Sequence, residues 1–453
     1  MNRQTFWLSF LFLLPSNHFA QTAADFPSAL KQEVSARAGE MAARLEATYK
    51  DLHGRPELSN HEEKTSEQIA LALERSGFAV TRHVGGYGVV GLLTNGAGPT
   101  VLLRTDLDGL PVAEQTGASY ASQSVADDGK GGTTSVMHAC GHDMHMTTFL
   151  GTARILSQFK DRWQGTLVMI GQPAEEKGQG ARAMLADGLF TKFPKPNYCL
   201  ALHCAPDLEA GKVGVTEGYA LANVDMVDVV IRGVGGHGAW PHKSKDPIVL
   251  AAQIVLAFQT IVSRETDPTQ PAVVTVGSIH GGTKHNIIPD DVKLQLTLRS
   301  YSDEVRQHTL EAIKRITRGL AEAAGIPEDR YPTVTVADES ASATYNNPEL
   351  AQRLKKTFAD WLGPKRSTTT KPIMGAEDFG LFGRTKEKIP ICIFWLGTVE
   401  PQRFKEAQEQ GKTLPPLHSN QFLPGIEPTL ETGITAMTAA ALELLGRPGS
   451  RQN

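Results

Sequence analysis

The chain has 453 residues, of which 45 are basic and 49 acidic, so its formal net charge is −4. A chain of this length can bury a large core and is expected to divide into two or three domains. So small a net charge gives no electrostatic reason to bind nucleic acid or an acidic membrane, and a small molecule is the expected partner. Four cysteines are too few and too scattered for a disulfide framework.

The N-terminus has the order of a secretory signal peptide. A single basic residue precedes the apolar run Phe6–Pro15, and a short polar stretch and several alanines follow it. We expect residues 1–24 to direct export to the periplasm or the medium, with cleavage before Gln21 or Asp25. A retained anchor is the alternative. No later stretch reaches the roughly 18 consecutive apolar residues that a transmembrane helix needs.

Apolar spacing then predicts two amphipathic helices, Ala36–Leu52 and Glu62–Ser76. Ser59 or Asn60 is the expected cap of the second helix. The β-rich runs Gly88–Leu93 and Thr100–Arg104 come next.

Two acids, Asp106 and Asp108, stand where the run Thr100–Arg104 ends. Surface acids in a turn are the ordinary interpretation. Their place before the next motif also allows them to orient a metal-binding imidazole by a hydrogen bond.

The densest cluster of metal-type side chains is His138–His145, with the sequence H-A-C-G-H-D-M-H. Cys140 and His142 are two residues apart, so in an extended loop both side chains project to one side, and Gly141 leaves the turn uncrowded. A lone Cys or His is more often core or surface than ligand. Further segments that place similar side chains after apolar strands favour metal binding.

Two such segments follow the helical pattern Met144–Phe159. The apolar strand Gly165–Gly171 leads into Glu175 and Glu176, and the strand at Tyr198 leads into His203. Adjacent acids usually mark a solvated turn, but an isolated carboxylate directly after a buried strand is costly unless it is bound or paired. Strands that alternate with helices predict a parallel sheet, whose carboxyl ends gather such side chains in one crevice.

From Val224 to Ala337 the predicted order is strand, helix, strand, strand, helix, strand, which is a β-α-β-β-α-β unit. It carries the glycine-flanked His237 and, later, Asn286. The glycines fit a tight turn as well as a functional loop.

After Ala337 the chain returns to the alternation of helices and apolar strands that precedes Val224. A helix at Glu349–Leu362, an acidic turn, the strand Ile389–Leu396 and a polar loop precede His418, and a helix from about Pro428 closes the chain. The predicted fold is α/β: a discontinuous domain with a mostly parallel sheet, in residues 25–217 and 338–453, and an inserted β-α-β-β-α-β domain in residues 218–337.

These motifs together resemble the metal-dependent amidohydrolases typified by hippurate hydrolase and the indole-acetyl-amino-acid hydrolases, in the aminoacylase and carboxypeptidase clan. The resemblance extends from about Ala36 to Leu445. Its markers are Leu103–Asp108, Met137–Asp143, Gln172–Glu176, Leu202–His203, Gly235–His242, Asn286–Asp290, Met374–Phe379 and Leu417–Ser419.

The resemblance implies a role for each matched position. The implied ligands of a two-metal centre are Cys140, His142, Glu176, His203 and His418. Glu175 is the implied general base, and Asp108 is a candidate for orienting a ligand. The inserted domain, as a lid and dimerisation domain, would supply substrate contacts from His237, Asn286 and Arg299. Two stretches, Ala126–Gly132 and Val399–Pro416, look longer than the family pattern, which bears on specificity.

The expected activity is hydrolysis of an amide bond in N-acyl amino acids by a metal-activated water. A dipeptidase or carboxypeptidase of the same clan, and a non-catalytic binding protein on the same fold, are the alternatives. The mixed sulfur, nitrogen and oxygen ligands suit two ions of Zn, Mn, Ni or Co per subunit. A homodimer formed through the inserted domain is expected.

Overall fold

A computed structural model of the protein describes residues 26–338 and 340–447. The expected signal peptide, residues 1–24, lies outside this part of the chain. The described residues form a mixed α/β structure with an eight-stranded sheet, a four-stranded sheet and three two-stranded sheets, which confirms the predicted fold class.

Ten α-helices occur in the described ranges. They are α1 Ser28–Gly54, α2 Glu63–Arg75, α3 His142–Gln158, α4 Gly180–Ala186, α5 Pro247–Thr260, α6 Asp303–Ala323, α7 Pro348–Leu362, α8 Gly380–Arg384, α9 Pro401–Gln410 and α10 Ile426–Leu444.

The strands of the same ranges number eighteen. They are β1 Ala79–Thr81, β2 Val89–Asn95, β3 Thr100–Asp106, β4 Val125–Asp127, β5 Thr133–Ser135, β6 Gly165–Gln172, β7 Tyr198–Glu209, β8 Val213–Val215, β9 Gly218–Leu221, β10 Asn223–Arg232, β11 Gly236–His237, β12 Ala272–Gly281, β13 Ile287–Ile288, β14 Asp291–Ser300, β15 Thr333–Val336, β16 Thr344–Asn346, β17 Ser367–Thr369 and β18 Ile391–Val399.

The large sheet has eight strands in the order β1-β2-β6-β3-β7-β18-β8-β17. Its four central strands, β6, β3, β7 and β18, run parallel to one another, while β1 and β2 at one edge are antiparallel. Side chains that alternate along the central strands enter two different cores, because successive residues of a strand point to opposite faces. Leu103 packs in the core on one face and Leu102 in the core on the other.

Helices cover both faces of this sheet. The helices α1, α2, α3, α7 and α10 supply apolar residues to the larger core, and α4 and α8 supply them to the smaller one. A parallel sheet buried on both faces leaves its strand ends as the accessible place for polar side chains. We therefore expect the functional side chains at the carboxyl ends of β3, β6 and β7.

The smaller sheet has four antiparallel strands in the order β12-β14-β10-β15. With α5 and α6 it follows the predicted β-α-β-β-α-β order and has its own apolar core. Both helices begin at a side-chain cap. Asp246 accepts the Ile248 N–H at 2.8 Å, and Ser302 accepts the Val305 N–H at 3.1 Å. These caps satisfy amide groups that the first turn of a helix leaves without partners.

In the described residues, one helical stretch, Pro247–Glu265, is long and apolar enough to cross a membrane, judged by its length and composition alone. The sequence had suggested no such stretch after the N-terminus, because polar residues such as Gln253 and Gln259 interrupt the apolar run. Core helices of globular proteins have the same length and apolarity, so these two properties do not define a membrane span. Its inner side packs on the four-stranded sheet.

Three local expectations were wrong. Neither Ser59 nor Asn60 caps α2, because the Ser59 hydroxyl donates to Asp108 at 2.6 Å and Asn60 has a left-handed backbone, with φ 68°. Helix α1 begins eight residues before Ala36. The expected polar loop Val399–Pro416 contains helix α9, whose proline in the first turn fits a helix start.

Candidate metal centre

Side chains from four segments meet at the carboxyl ends of the parallel strands. Asp106 ends β3, Glu175 and Glu176 follow β6, and His203 lies in β7. His142 is the first residue of α3. The residue before it, Gly141, has φ 82°, and a Cβ atom there would come within 2.8 Å of the Cys204 sulfur. Glycine is therefore required for α3 to start this close to β7.

Cys140, His142 and His203 form a fully buried trio whose potential ligand atoms lie within 4.8 Å of one another. The Cys140 Sγ is 3.6 Å from the His203 Nε2. The His203 Nδ1 donates to the Cys204 carbonyl oxygen at 2.9 Å, which leaves Nε2 as the free acceptor facing the thiol.

Glu176 lies between two imidazoles from distant parts of the chain. Its Oε1 is 3.7 Å from the His142 Nε2, and its Oε2 is 3.6 Å from the His418 Nε2. His418 adopts a left-handed backbone with φ 65°, and its N–H donates to the Ala139 carbonyl at 2.8 Å. Cys140, Glu176 and His418 form a second trio that shares the thiol with the first.

These separations fit side chains that bind a common cation. Metal bond lengths of about 2.0–2.3 Å and a tetrahedral angle place two nitrogen or oxygen ligands about 3.4 Å apart, and a sulfur and a nitrogen about 3.6 Å apart. Within the described residues, the His142 Nε2 and the Glu176 Oε1 are buried without a hydrogen-bond partner. Burying polar atoms without a partner costs folding free energy unless a ligand binds them. The donor set therefore suits a divalent metal ion.

The local electrostatics also favour a cation. Burial, and then the charges of Glu377, Glu176 and Asp378, raise the pKa of Glu175 well above its usual range. Burial raises the pKa of Glu176 to about 7, although the neighbouring His142 opposes the shift. Burial, followed by the charges of Glu176 and Glu175, raises the pKa of the Cys140 thiol. The surroundings thus disfavour the negatively charged forms of these three side chains. A divalent cation would supply the positive charge that stabilises them.

Asp108 connects the segments that carry these ligands. Its two oxygens accept the backbone N–H groups of Glu175 and Glu176 at 3.2 and 3.0 Å, and its Oδ1 is 3.4 Å from the His142 Nδ1. A carboxylate on Nδ1 directs the other nitrogen, Nε2, towards the crevice.

His145, the third imidazole of the cysteine motif, has both ring nitrogens engaged. Its Nδ1 donates to Asp106 at 2.8 Å, and its Nε2 accepts the Cys204 N–H at 2.9 Å. It therefore supports the crevice wall and is not free to bind a metal in this arrangement.

A buried arginine, Arg104, pairs with several carboxylates near Glu175. Arg104 is fully buried and donates to Asp106 at 2.6 Å and to Glu377 at 2.8 Å. Asp378, which is 3.3 Å from Arg104, also accepts the Gln172 side-chain amide at 2.6 Å. The sequence showed the acidic turn but not its partner, because Arg104 and Glu377 are 273 positions apart.

Sequence reasoning also missed a second buried ion-pair group. His53, at the end of α1, contacts Asp143 at 2.6 Å through Nδ1 and Glu114 at 3.0 Å through Nε2. Burial alone would lower the pKa of His53, but the hydrogen bonds to these two carboxylates raise it to about 10. Asp143 directly follows His142 in α3, so this imidazolium anchors the helix start that presents the crevice histidine.

The three substrate contacts implied for the inserted unit lie elsewhere. His237 in β11 pairs with Ile287 in β13, and the Asn286 carbonyl accepts the Gly238 N–H at 2.9 Å. Arg299 lies half-buried on β14. Among residues 26–338 and 340–447, no hydrogen bond or ion pair joins these three side chains to the crevice.

A crevice with sulfur, imidazole and carboxylate donors, next to the buried carboxylate of Glu175, has the groups of a metal-dependent hydrolase. Residues 102–412 match Peptidase family M20/M25/M40. Since this match spans more than half of the chain, the chain belongs to that family.

Individual relatives agree with the family match. The chain is 34% identical to "Thermostable carboxypeptidase 2" of Saccharolobus solfataricus, over 86% of the chain and 93% of that protein. It is 35% identical to "Hippurate hydrolase" of Campylobacter jejuni, over 77% and 87%. A crystal structure of a dinuclear metal-binding peptidase of the M20 family from Bacillus subtilis superposes with a TM-score of 0.70 at 28% identity, over 89% of the chain and 98% of that structure. The protein is therefore a metal-dependent hydrolase of amide bonds.

Proposed function

We propose that the protein hydrolyses the amide bond between an acyl group and an amino acid, with two divalent metal ions held by Cys140, His142, Glu176, His203 and His418. The observation that carries this proposal is the Glu176 carboxylate, which spans His142 and His418 at 3.7 and 3.6 Å. The two ligand trios share Cys140, and this sharing supports two ions. When bound, such ions lower the pKa of water and polarise the scissile carbonyl.

Glu175 serves as the general base in this proposal. Its Oε2 is 3.8 Å from the His142 Nε2, so it faces the same crevice as the ligands. It is buried, and burial raises the pKa of its carboxyl group, which is the direction that favours a carboxylate as a proton acceptor. Glu175 would take the proton from water and pass it to the departing amine.

The substrate contacts come from the inserted unit, residues 218–337, which we propose acts as a lid. The Arg299 guanidinium is half-buried and has no hydrogen-bond or ion-pair partner among the described residues, and burial lowers its pKa. Its planar group fits a bidentate grip on a substrate carboxylate. His237 and Asn286 are exposed on one ribbon, where His237 can donate to a developing oxyanion. Closure of the lid, or a second copy of the chain, must bring these three residues to the crevice.

We also propose a homodimer formed through this unit. Strand β12 is an edge strand of the four-stranded sheet and leaves Ile279 54% exposed. Beside it, α5 leaves Val249 and Leu256 55% and 72% exposed. Open strand edges and apolar patches are typical of association surfaces. Leu256→Glu should shift the particle mass from dimer to monomer in light scattering. A wild-type monomer would contradict the proposal.

For the cell location we propose export by residues 1–24, which rests on the N-terminal sequence pattern alone. N-terminal sequencing of protein isolated from its native host should begin near Gln21 or Asp25. An intact Met1 on cytoplasmic protein would contradict export.

The substrate class is tested by a panel of N-acyl amino acids, including hippurate, and free dipeptides, each with added Zn, Mn, Ni or Co. We expect the highest kcat/KM on an N-acyl amino acid. Preference for dipeptides would favour the peptidase alternative, and no turnover of any substrate with any metal would contradict the proposal.

A further inference from the structure

The turn that carries Glu175 and Glu176 has an unusual backbone. Ala174 has φ 49° although it bears a side chain, and it is buried. A non-glycine residue in this region persists only when its surroundings hold it there. The contacts of the turn therefore show what fixes the positions of the two glutamates.

Two carboxylates hold the three successive N–H groups of this turn. The Glu62 Oε1 accepts the Ala174 N–H at 2.7 Å. Asp108 accepts the next two, from Glu175 at 3.2 Å and from Glu176 at 3.0 Å. The turn is thus fixed through its backbone N–H groups, and none of these three bonds uses the side chain of Glu175 or Glu176.

Glu62 does not cap the helix that it precedes. It stands immediately before α2, but its side chain accepts no amide group of that helix. Glu57 does so in its place, accepting both the N–H and the hydroxyl of Thr65 at 2.8 Å. The Glu62 side chain is therefore available for a partner 112 positions away.

The burial of Glu62 has a cost that helix stability does not explain. The residue is fully buried, and its Oε2 has no hydrogen-bond partner within the part of the chain that the structure describes. A half-satisfied buried carboxyl group is unfavourable for folding. The hydrogen bond from the Ala174 N–H offsets part of this cost.

We propose that Glu62 is a positioning residue, which holds Ala174 in its left-handed conformation and thereby sets the positions of Glu175 and Glu176. This inference rests on the proposed function, in which Glu175 is the base and Glu176 a metal ligand. Glu62 acts through the backbone and does not touch the reacting atoms. Loss of its hydrogen bond should therefore lower kcat more than it changes KM.

The test compares three variants of the purified, metal-loaded protein. Glu62→Leu removes the acceptor, and Glu62→Asp shortens its reach. Both should lower kcat on the best substrate of the panel, Glu62→Leu by about 10²-fold, as expected for small misplacements of catalytic groups. Glu62→Gln keeps an oxygen that can accept the Ala174 N–H, and it should retain most of the activity.

A second measurement does not depend on activity. Hydrogen–deuterium exchange followed by mass spectrometry reports the protection of the amide groups of residues 174–176. Exchange there should be faster in Glu62→Leu and Glu62→Asp than in the wild type, and near wild type in Glu62→Gln. Glu57→Leu is the matched control. It removes the acceptor that caps α2 and should lower the melting temperature, but it should leave exchange at residues 174–176 and kcat unchanged.

The outcomes separate this inference from the proposed function. A wild-type protein without hydrolytic activity contradicts the proposed function, while the exchange measurement still tests the contact. An active wild type with equal kcat and equal exchange in Glu62→Asp overturns the role of Glu62. If Glu62→Leu does not fold, Glu62→Asp and Glu62→Gln decide the matter, because both keep a polar group at the site.

Discussion

The crevice of the eight-stranded sheet and the two-stranded ribbon of β11 and β13 both present histidines, but their surroundings differ. His142 and His203 are buried among carboxylates and a thiol, whereas His237 is exposed and its Nδ1 accepts the N–H of nearby Ala239 at 3.1 Å. The crevice histidines are held by their neighbours, His142 beside Asp108 and His203 on the Cys204 carbonyl. In the proposed function, the ribbon reaches the crevice only through movement or a second subunit.

This contrast separates two kinds of contribution to a hydrolase. Electrostatic groups act best when they are fixed in advance in a dry site, whereas groups that close over a substrate must be mobile. Changes in the crevice should therefore affect metal content, folding and kcat. Changes on the four-stranded sheet should affect KM and assembly.

The largest expected effect is on the crevice side. Treatment with a chelator should abolish hydrolysis, and an added divalent metal should restore it, because the ligand atoms are spaced for a shared cation. Activity assays with elemental analysis of the same samples check this. Full activity in a verified metal-free sample would show that the crevice works by other means.

Two arginines, one in each region, test whether buried and partly exposed ion pairs stabilise the protein to different extents. Arg104→Met leaves Asp106, Glu377 and Asp378 without their buried cation, so the free energy of unfolding should fall by about 3–5 kcal/mol. Arg306→Met in the four-stranded unit breaks the bond to Asp225 at 2.6 Å. Since the Arg306 side chain is 33% exposed, Arg306→Met should lower the free energy of unfolding by less than Arg104→Met. Urea denaturation measures both values. An equal fall in the free energy of unfolding for the two variants would contradict this difference between the two regions.

The His53 ion-pair group gives a pH-dependent effect. Its pKa of about 10 in the folded protein lies above the ordinary value of 6.5, so its stabilisation is complete below about pH 6.5 and is lost as pH rises towards 10. The partners Asp143 and Glu114 have lowered pKa values, so their contribution is lost in acid.

His53→Gln should accordingly reduce stability most near pH 6, by about 3 kcal/mol for a broken buried pair. The difference from wild type should narrow at pH 9.5. Urea denaturation at both pH values measures it, and a difference independent of pH would mean that His53 is neutral in the folded protein.

The smallest expected effect concerns the four-stranded sheet. Arg299→Lys keeps the charge but loses the bidentate geometry, so KM should rise by about 10-fold to 100-fold, as for the loss of a charge-assisted hydrogen bond. The kcat and the metal content should be unchanged. A fall in kcat with constant KM would place Arg299 among the groups that act on the transition state.

Much of this contrast was predictable from the sequence. Apolar strands followed at once by Asp106, Glu175 or His203 predicted a parallel sheet with polar side chains at its carboxyl ends, because the period of a buried strand is a local signal. The β-α-β-β-α-β order was predictable for the same reason.

Other features depend on contacts between distant positions. The bond from Glu62 to Ala174 spans 112 positions, and nothing local to either residue indicates it. The left-handed backbones of Ala174 and His418 also escape prediction, since glycine is the residue that usually marks such a conformation. Helix α9 was missed although Pro401 and the residues after it suit a helix start.

The most direct test of the central claim compares two neighbouring residues of identical chemistry. Metal content and turnover should be measured in parallel for Glu175→Gln and Glu176→Gln. We expect Glu175→Gln to keep its metal while turnover falls by about 10²–10⁴-fold, and Glu176→Gln to lose both metal and activity. Normal metal content in both variants, or loss of metal only in Glu175→Gln, would contradict the assignment of base and ligand.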